Sequence, residues 1–123
     1  MNTKNVLIVE DNPICLKVAE MVNRLMGHDI TTAANAKEAL EHCSKTHKTY
    51  DLVFMDIGLP DMDGTKLTRK LRQLTGFDKT VIIALSAHIS KEDENLNGFG
   101  FDSVYEKPLT RVGLQNILTE HFA

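Results

Sequence analysis

The sequence is poor in several features that would mark particular classes of protein. Its two cysteines, Cys15 and Cys43, lack the spacing of a metal site, which predicts free thiols in a reducing compartment rather than a disulfide framework. No apolar run is long enough to cross a bilayer, so we expect no direct membrane contact. The formal charge is −3 and no basic stripe stands out, which argues against direct nucleic-acid binding.

A targeting signal is also lacking at the N-terminus. Residues 1–5 lead directly into a short apolar run, without the longer apolar core and cleavage site of a secretory signal, so we expect a cytoplasmic protein. The 123 residues are 42% hydrophobic and 25% charged, as in a soluble globular domain. Without a repeat, low-complexity tract or linker, the chain is predicted to form one domain over residues 1–123.

Five strand-like runs alternate with segments of helical periodicity. The predicted strands cover residues 6–9, 29–33, 52–56, 80–85 and 103–106. Helices are predicted to start near residues 12, 35, 63, 90 and 110. This alternation with short connections favours an α/β fold with a doubly wound, five-stranded parallel sheet and helices on both faces.

Amphipathic patterns suggest which residues face the sheet. In the first helix, the apolar residues at helical spacing are Ile14, Val18, Met21, Val22 and Leu25. The polar residues expected on the opposite, solvated side are Lys17, Glu20, Asn23 and Arg24. A basic cluster in the third helix is expected to be mostly solvated and includes Lys66, Arg69, Lys70 and Arg72. Phe99 and Phe101 are predicted to pack in the core or against a helix, with docking of a partner near the fifth strand as the alternative. The histidines other than His88 are predicted to lie on or near the surface, among them His28 and His121.

The residues at the strand ends carry the chemical signal. Glu10 and Asp11 follow the first strand, Asp56 ends the third, Ser86 follows the fourth and Lys107 follows the fifth. Ligands of open α/β sheets bind along the edge formed by the carboxyl ends of the strands. A single acid at a strand end more often caps a loop, but a set of such residues at four strand ends favours a shared site.

Three carboxylates at one edge require a partner of opposite charge. They repel one another by roughly 1 kcal/mol per pair in water and several-fold more at lower dielectric. Mg²⁺, or Mn²⁺ in its place, is the expected cation because hard ions prefer carboxylate and carbonyl oxygens. The ammonium of Lys107 and the hydroxyl of Ser86 are groups that hold phosphoryl oxygens. Since a carboxylate can attack phosphorus, we predict that Asp56 forms an aspartyl phosphate.

Taken together, these motifs resemble the receiver domain of two-component response regulators over residues 6–122. The matching motifs are Glu10-Asp11, Met55-Asp56, Leu59-Pro60, Met62-Asp63-Gly64, Ser86-Ala87 and Lys107-Pro108. The resemblance implies a flavodoxin-like fold with strand order 2-1-3-4-5. It also implies a cis peptide bond between Lys107 and Pro108.

The resemblance further implies a function in a phosphorelay. A histidine kinase or a histidine phosphotransfer domain would phosphorylate Asp56, and the domain would catalyse its own phosphorylation and dephosphorylation without a separate substrate. Mg²⁺ would be bound by Asp11, Asp56 and the backbone carbonyl of Gly58, with Glu10 assisting through water. The segment 85–88 also resembles receivers of hybrid sensor kinases, which would place the domain in the cytoplasmic part of a membrane-bound sensor.

One position departs from the family pattern. Many receivers carry a Tyr or Phe three positions before the lysine, and this ring swings inward when the hydroxyl residue moves toward the phosphoryl group. Val104 stands there, and Tyr105 follows on the opposite face of the strand unless a bulge shifts it. We therefore expect no switch between Ser86 and an aromatic ring. His88 either influences the lifetime of the phosphoryl group or is an ordinary loop histidine.

Two other functions compete with this interpretation. A degenerate receiver would bind partners without phosphorylation, but Asp56, Ser86 and Lys107 are all present. A phosphatase of the haloacid dehalogenase type would need an acid two residues after its nucleophile, where Gly58 stands. The cognate kinase, the stimulus, the output and the oligomeric state are left open by the sequence.

Overall fold

The computed structural model describes residues 3–45, 49–74, 76–87 and 100–122. The strands are β1 (Asn5–Val9), β2 (Asp29–Ala33), β3 (Leu52–Asp56), β4 (Val81–Ser86) and β5 (Ser103–Glu106). The helices in the described ranges are α1 (Pro13–Leu25), α2 (Ala36–Lys45), α3 (Gly64–Arg72) and α4 (Arg111–Phe122). The short helix predicted near residue 90, together with His88 and Phe99, falls outside the described residues.

The five strands form one parallel sheet in the order β2-β1-β3-β4-β5, which confirms the predicted fold class and strand order. Every residue of the central strand β3 is buried because helices cover both faces of the sheet. The edge strand β2 is more exposed and more polar, with Thr31 and Thr32 half-buried. The carboxyl ends of all five strands lie along the same edge of the sheet.

Alternating side chains divide the core into two layers. In β1, Leu7 and Val9 pack in one cluster, whereas Val6 and Ile8 pack in the other. The first cluster contains residues of α2 and α3, and the second contains residues of α1 and α4. The helices therefore cover the sheet in pairs on opposite faces, as a doubly wound fold requires.

The sheet-facing side of α1 agrees with the prediction only in part, since Val22 packs against the core as expected. Ile14, Met21 and Leu25 are exposed to 75%, 56% and 73%, whereas Asn23 is fully buried. Asn23 tolerates burial because its Nδ2 donates a hydrogen bond of 2.8 Å to the carbonyl of Ala19. The prediction chose the side of the helix with the most apolar residues, but the helix packs through the small Ala19 and its neighbours.

Arg72 was expected at the solvated face of α3, and this was wrong. Its guanidinium donates to the carbonyl oxygens of Phe77 at 2.9 Å and Gly100 at 2.7 Å and pairs with Asp102 Oδ2 at 2.9 Å. The same carboxylate oxygen accepts a hydrogen bond of 2.8 Å from the amide of Ile82. Arg72 therefore ties the end of α3 to the beginnings of β4 and β5.

His28 was expected near the surface but is only 9% exposed. Its Nδ1 accepts a hydrogen bond of 3.1 Å from the amide of Lys4, directly before β1. His121 is half-buried, with its Nε2 3.0 Å from the hydroxyl of Ser103. Both histidines thus connect separate segments of the fold.

Other sequence predictions agree with the structure. Phe101 is buried, and Cys15 and Cys43 are free thiols. The helix starts predicted near residues 12 and 63 are also found: Asn12 caps α1, with Pro13 in its first turn, and Asp63 caps α3. Among the described residues, no helix has the length and apolar character needed to cross a membrane.

Candidate functional site

Three carboxylates meet where β1 and β3 end. Glu10, Asp11 and Asp56 each offer an oxygen atom, and these atoms lie within 4.8 Å of one another. They converge because β1 and β3 are adjacent and in register, with Val9 opposite Met55, so the next residue of each strand projects from the same edge. Glu10 and Asp56 are buried and Asp11 is exposed, which leaves the cluster open on one side.

Lys107 joins the acids from the far end of the sheet. Its Nζ lies 2.7 Å from Glu10 Oε1 and 3.0 Å from Asp56 Oδ1. Because β4 separates β3 from β5, the lysine side chain extends over the end of β4. The backbone there is fixed, since the amide of Lys107 donates a hydrogen bond of 2.7 Å to the carbonyl of Ser86. The bond between Lys107 and Pro108 is cis, as the resemblance implied.

The pKa values of Glu10 and Asp56 are shifted in opposite directions. Burial, together with a hydrogen bond to Asp56, raises the pKa of Glu10 to about 7, although Lys107 opposes the shift. Burial alone would raise the pKa of Asp56, but its side-chain hydrogen bonds with Glu10, Asp11 and Lys107 outweigh burial and lower that pKa. A proton held by Glu10 therefore supports an ionised Asp56.

Lys107 remains an ammonium in this setting. Burial on its own would lower its pKa, but the contacts with Glu10 and Asp56 raise it. The site thus places an ionised carboxylate against a cation, both largely shielded from solvent. Such a pair can act on a ligand that carries negative oxygens.

The loop after Asp56 folds back against its own strand. The amide of Gly58 donates to Asp56 Oδ1 at 3.1 Å, and the amide of Gly64 donates to the carbonyl of Ile57 at 2.9 Å. A Cβ atom at Gly64 would lie 2.5 Å from the backbone oxygen of Asp56. The first residue of α3 therefore has to be glycine for the helix to begin this close to Asp56.

Ser86 ends β4 at the same edge and is half-buried. The β4–β5 register is continuous, with Ala84 opposite Val104 and Leu85 opposite Tyr105, so these strands contain no bulge. Val104 packs on the α2–α3 face of the sheet, whereas Tyr105 packs on the α1–α4 face. The prediction that Tyr105 does not replace the ring missing at Val104 is confirmed.

Comparison with known proteins identifies the family. Residues 6–119 match the family model described as the response regulator receiver domain. The chain belongs to the response regulator receiver family. This receiver is 33% identical over 119 residues to the transcription factor SKN7 of Chaetomium thermophilum, covering 96% of this chain and only 15% of that protein.

Two further relatives are close to this receiver in length. The two-component response regulator ARR22 of Arabidopsis thaliana is 30% identical over 118 residues, covering 96% of this chain and 83% of ARR22. The receiver domain of the sensor histidine kinase PA1611 of Pseudomonas aeruginosa is 32% identical, with a TM-score of 0.85 and 98% of both chains covered. That structure has a magnesium ion coordinated in its active-site cleft.

The donor set of this receiver suits a hard divalent cation. Its three convergent groups are all carboxylates, with no imidazole or thiolate among them, and Mg²⁺ and Mn²⁺ favour such oxygen ligands. Burial holds Glu10 and Asp56 close together, while the exposed Asp11 gives access from solvent. The residues therefore fit the predicted metal.

Sequence reasoning missed the backbone support of these acids. The amide of Asn12 donates a hydrogen bond of 3.1 Å to Glu10 Oε2. The Asn12 side chain in turn accepts hydrogen bonds from the amides of Ile14 and Cys15, as the cap of α1. The start of α1 and the buried acid are thus held by one residue. The signal was present, because a capping residue directly after paired acids fixes the turn that carries them.

Proposed function

We propose that this receiver is a phosphoacceptor that takes a phosphoryl group from a phosphohistidine onto Asp56 in a Mg²⁺-dependent reaction. The observation that carries the proposal is the contact of Lys107 with both Glu10 and Asp56 at the carboxyl edge of the sheet. The side chain of Lys107 extends over the end of β4 and places its ammonium against two buried acids. It supplies positive charge next to an ionised carboxylate, which phosphoryl transfer requires.

The proposed reaction is a displacement at phosphorus. A carboxylate oxygen of Asp56 forms a bond to phosphorus while the bond from phosphorus to the imidazole nitrogen of the donor breaks. The imidazole leaves with the electron pair of that bond. Lys107 and the hydroxyl of Ser86 would hold the phosphoryl oxygens, and water would later hydrolyse the acyl phosphate at the same site. The domain acts on itself and has no separate substrate.

We assign the metal ligands by position. Asp11, Asp56 and the backbone carbonyl of Gly58 would hold Mg²⁺, or Mn²⁺, with Glu10 assisting through water. The bound cation would neutralise charge on the phosphoryl oxygens. The carboxylate cluster of this chain and the magnesium ion in the cleft of the PA1611 receiver support the assignment.

The donor is proposed to be a histidine kinase or a histidine phosphotransfer domain. Ile14 and Val112 lie in the first turns of α1 and α4, and their side chains are 75% and 66% exposed. Both side chains lie at helix starts that follow strand ends of the carboxyl edge, and we propose that the donor protein contacts them. We propose a single cytoplasmic domain, acting alone or within a sensor kinase.

The test is intact-mass spectrometry after incubation with acetyl phosphate, with and without Mg²⁺. The wild-type chain should gain one phosphoryl group only with Mg²⁺, and hydroxylamine should remove it. Asp56→Asn should gain none, whereas the control Asp78→Asn, at an exposed acid, should behave as wild type. If neither acetyl phosphate nor a phosphorylated phosphotransfer protein modifies the wild type, the domain is a binding module that works without phosphorylation.

A further inference from the structure

Asp61 connects the loop after Asp56 to a distant helix. Its Oδ1 accepts a hydrogen bond of 2.9 Å from the amide of Ala36, and its Oδ2 accepts one of 3.1 Å from the amide of Lys37. Both carboxylate oxygens of an exposed residue are thus engaged by backbone groups 24 and 25 residues away. These amides are the first two of α2, where a helix favours negative charge.

The start of α2 also has a cap of its own. Asn35 Oδ1 accepts a hydrogen bond of 2.9 Å from the amide of Glu38, and Glu38 Oε1 accepts one of 3.3 Å from the amide of Ala34. This arrangement is a variant of the capping box in which Glu38 accepts from the amide before the cap, and it leaves the amides of Ala36 and Lys37 to other partners. Asp61 accepts hydrogen bonds from both of these amides. Because the helix start is already capped, this contact links the loop after Asp56 to α2 in addition to the cap.

The charge on Asp61 suits this role. Hydrogen bonds from the amides of Ala36 and Lys37 lower the pKa of its carboxyl group, so it is ionised at neutral pH. A charged acceptor makes stronger hydrogen bonds than a neutral one. The link is therefore present under the conditions in which phosphoryl transfer operates.

The loop between Asp56 and α3 is held at both ends and in the middle. At the ends, the amides of Gly58 and Gly64 bond to Asp56 Oδ1 and the carbonyl of Ile57. In the middle, the side chain of Leu59 is buried. Asp61 fixes the outer part, three residues after Gly58, against α2. Gly58 itself is exposed and lies between these anchors.

We infer that Asp61 is a positioning residue for the metal site, which keeps the Gly58 carbonyl in place by clamping the acceptor loop to α2. The inference rests on the proposed function, because it needs Mg²⁺ to bind beside Asp56. Asp61 acts through the loop and is not among the proposed ligands. Its loss should therefore weaken Mg²⁺ binding and leave the carboxylates, Lys107 and Ser86 in place.

The experiment compares Asp61→Ala with Asn35→Ala, a matched control that removes the local cap of the same helix and leaves the loop contact intact. Mg²⁺ binding to each purified chain is measured by isothermal titration calorimetry. Asp61→Ala should raise the dissociation constant roughly tenfold, as expected when a group that orients a metal ligand is lost. Asn35→Ala should bind Mg²⁺ as the wild type does, although both variants lower the melting temperature.

A second measurement distinguishes positioning of the Gly58 carbonyl from a loss of stability of α2. Phosphorylation by acetyl phosphate should need more Mg²⁺ in Asp61→Ala but reach close to the wild-type rate at saturating Mg²⁺. Amides of residues 58–62 should exchange hydrogen faster in this variant than in Asn35→Ala. Asp61→Asn, which keeps one carbonyl oxygen as acceptor, should give an intermediate Mg²⁺ affinity and serves if the alanine variant does not fold.

The outcomes distinguish this inference from the function on which it rests. If the wild type binds Mg²⁺ and is phosphorylated but Asp61→Ala binds Mg²⁺ equally well, the positioning role is wrong and the phosphoacceptor function stands. If Asp61→Ala and Asn35→Ala weaken binding equally, the effect comes from helix stability and the inference is overturned. If the wild type neither binds Mg²⁺ nor accepts phosphate, the proposed function is wrong, and the inference that depends on it is wrong as well.

Discussion

The ammonium of Lys107 lies 3.0 Å from Oδ1 of Asp56, so the proposed phosphoacceptor is paired with a cation in the resting protein. This contact predicts opposite effects on two measurable properties when Lys107 is removed. The ammonium would hold phosphoryl oxygens during transfer, but it also competes with a metal ion for the same carboxylates.

Lys107→Ala should therefore slow phosphorylation by acetyl phosphate by about 100-fold, the usual cost of losing one donor to a developing negative charge. In the same variant, Mg²⁺ affinity should rise, because the competing ammonium is gone. Mass spectrometry over time gives the rate and calorimetry gives the affinity. Lys70→Ala, at an exposed position of α3, is the control and should change neither. A variant that lost both properties together would show that Lys107 mainly maintains the structure of the cluster.

Gly64→Ala should displace the backbone of Asp56, the proposed phosphoacceptor. The added Cβ would lie 2.5 Å from the backbone oxygen of Asp56 and 2.9 Å from Cα of Ile57, and neither backbone atom can give way cheaply. We expect a loss of about 1–3 kcal/mol in the free energy of unfolding and slower phosphorylation. Urea denaturation gives the free energy. Gly58→Ala is the matched control for stability, because a Cβ there meets nothing within 4 Å. Equal stability of the two variants would contradict the close approach of α3 to Asp56.

The features that could be predicted from the sequence are those that depend on residues close together along the chain. Strand runs and strand-end acids are local patterns, and parallel topology then brings Glu10, Asp56 and Lys107 to one edge without further information. Arg72 and Asp61 were not predicted to form tertiary contacts, because their partners lie up to 30 and 25 residues away. The hydrophobic periodicity of a sequence gives no information about contacts between residues this far apart in the chain.

The side of α1 that packs on the sheet was mispredicted for a related reason. Counting apolar residues favoured Ile14, Met21 and Leu25 together with Val22, but of these only Val22 packs against the core beside Ala19. Asn23 is buried because its amide finds a carbonyl within its own helix. Packing among the described residues therefore does not explain why the apolar side chains of Ile14, Met21 and Leu25 are exposed.

His28 should make the stability of the fold depend on pH. Burial, followed by the charge of Lys4, lowers the pKa of His28 below its usual value of 6.5. Only the neutral ring can accept the hydrogen bond from the Lys4 amide at Nδ1. The unfolded chain therefore binds this proton more readily, so the contribution is complete above pH 6.5 and declines as pH falls through 6.5 toward the folded-state pKa.

The measurement is urea denaturation between pH 7.5 and 5.0. The difference in unfolding free energy between wild type and His28→Gln should shrink as pH falls, by at most about 1.4 kcal/mol per pH unit for one proton. Taking the difference removes the contributions of other titrating groups, including Glu10. The matched control is His42→Gln, which makes the same substitution at an exposed histidine of α2. A difference for His28→Gln that stays constant with pH would show that the ring is not titrating against the Lys4 amide.

The exposed apolar side of α1 should matter for a protein donor and not for a small one. Ile14, Met21 and Leu25 are separated by seven and four residues, so they share one side of the helix. They extend about 16 Å from the edge that holds the acids, at 1.5 Å per residue. A donor helix carrying phosphohistidine could bury these side chains while its histidine faces Asp56.

Ile14→Ser should therefore reduce the rate of phosphotransfer from a phosphorylated histidine phosphotransfer protein by about tenfold at limiting donor, since burying one such side chain is worth about 1.5–3 kcal/mol. Transfer from acetyl phosphate should be unchanged, because the side chain of Ile14 is 75% exposed and carries no group that could hold the metal or the phosphoryl oxygens. Lys17→Ser, at an exposed polar position of the same helix, controls for general effects on α1. A loss with both donors would place the defect in the acid site through the turn at Asn12, whereas a loss with neither would direct the search for the docking surface away from α1.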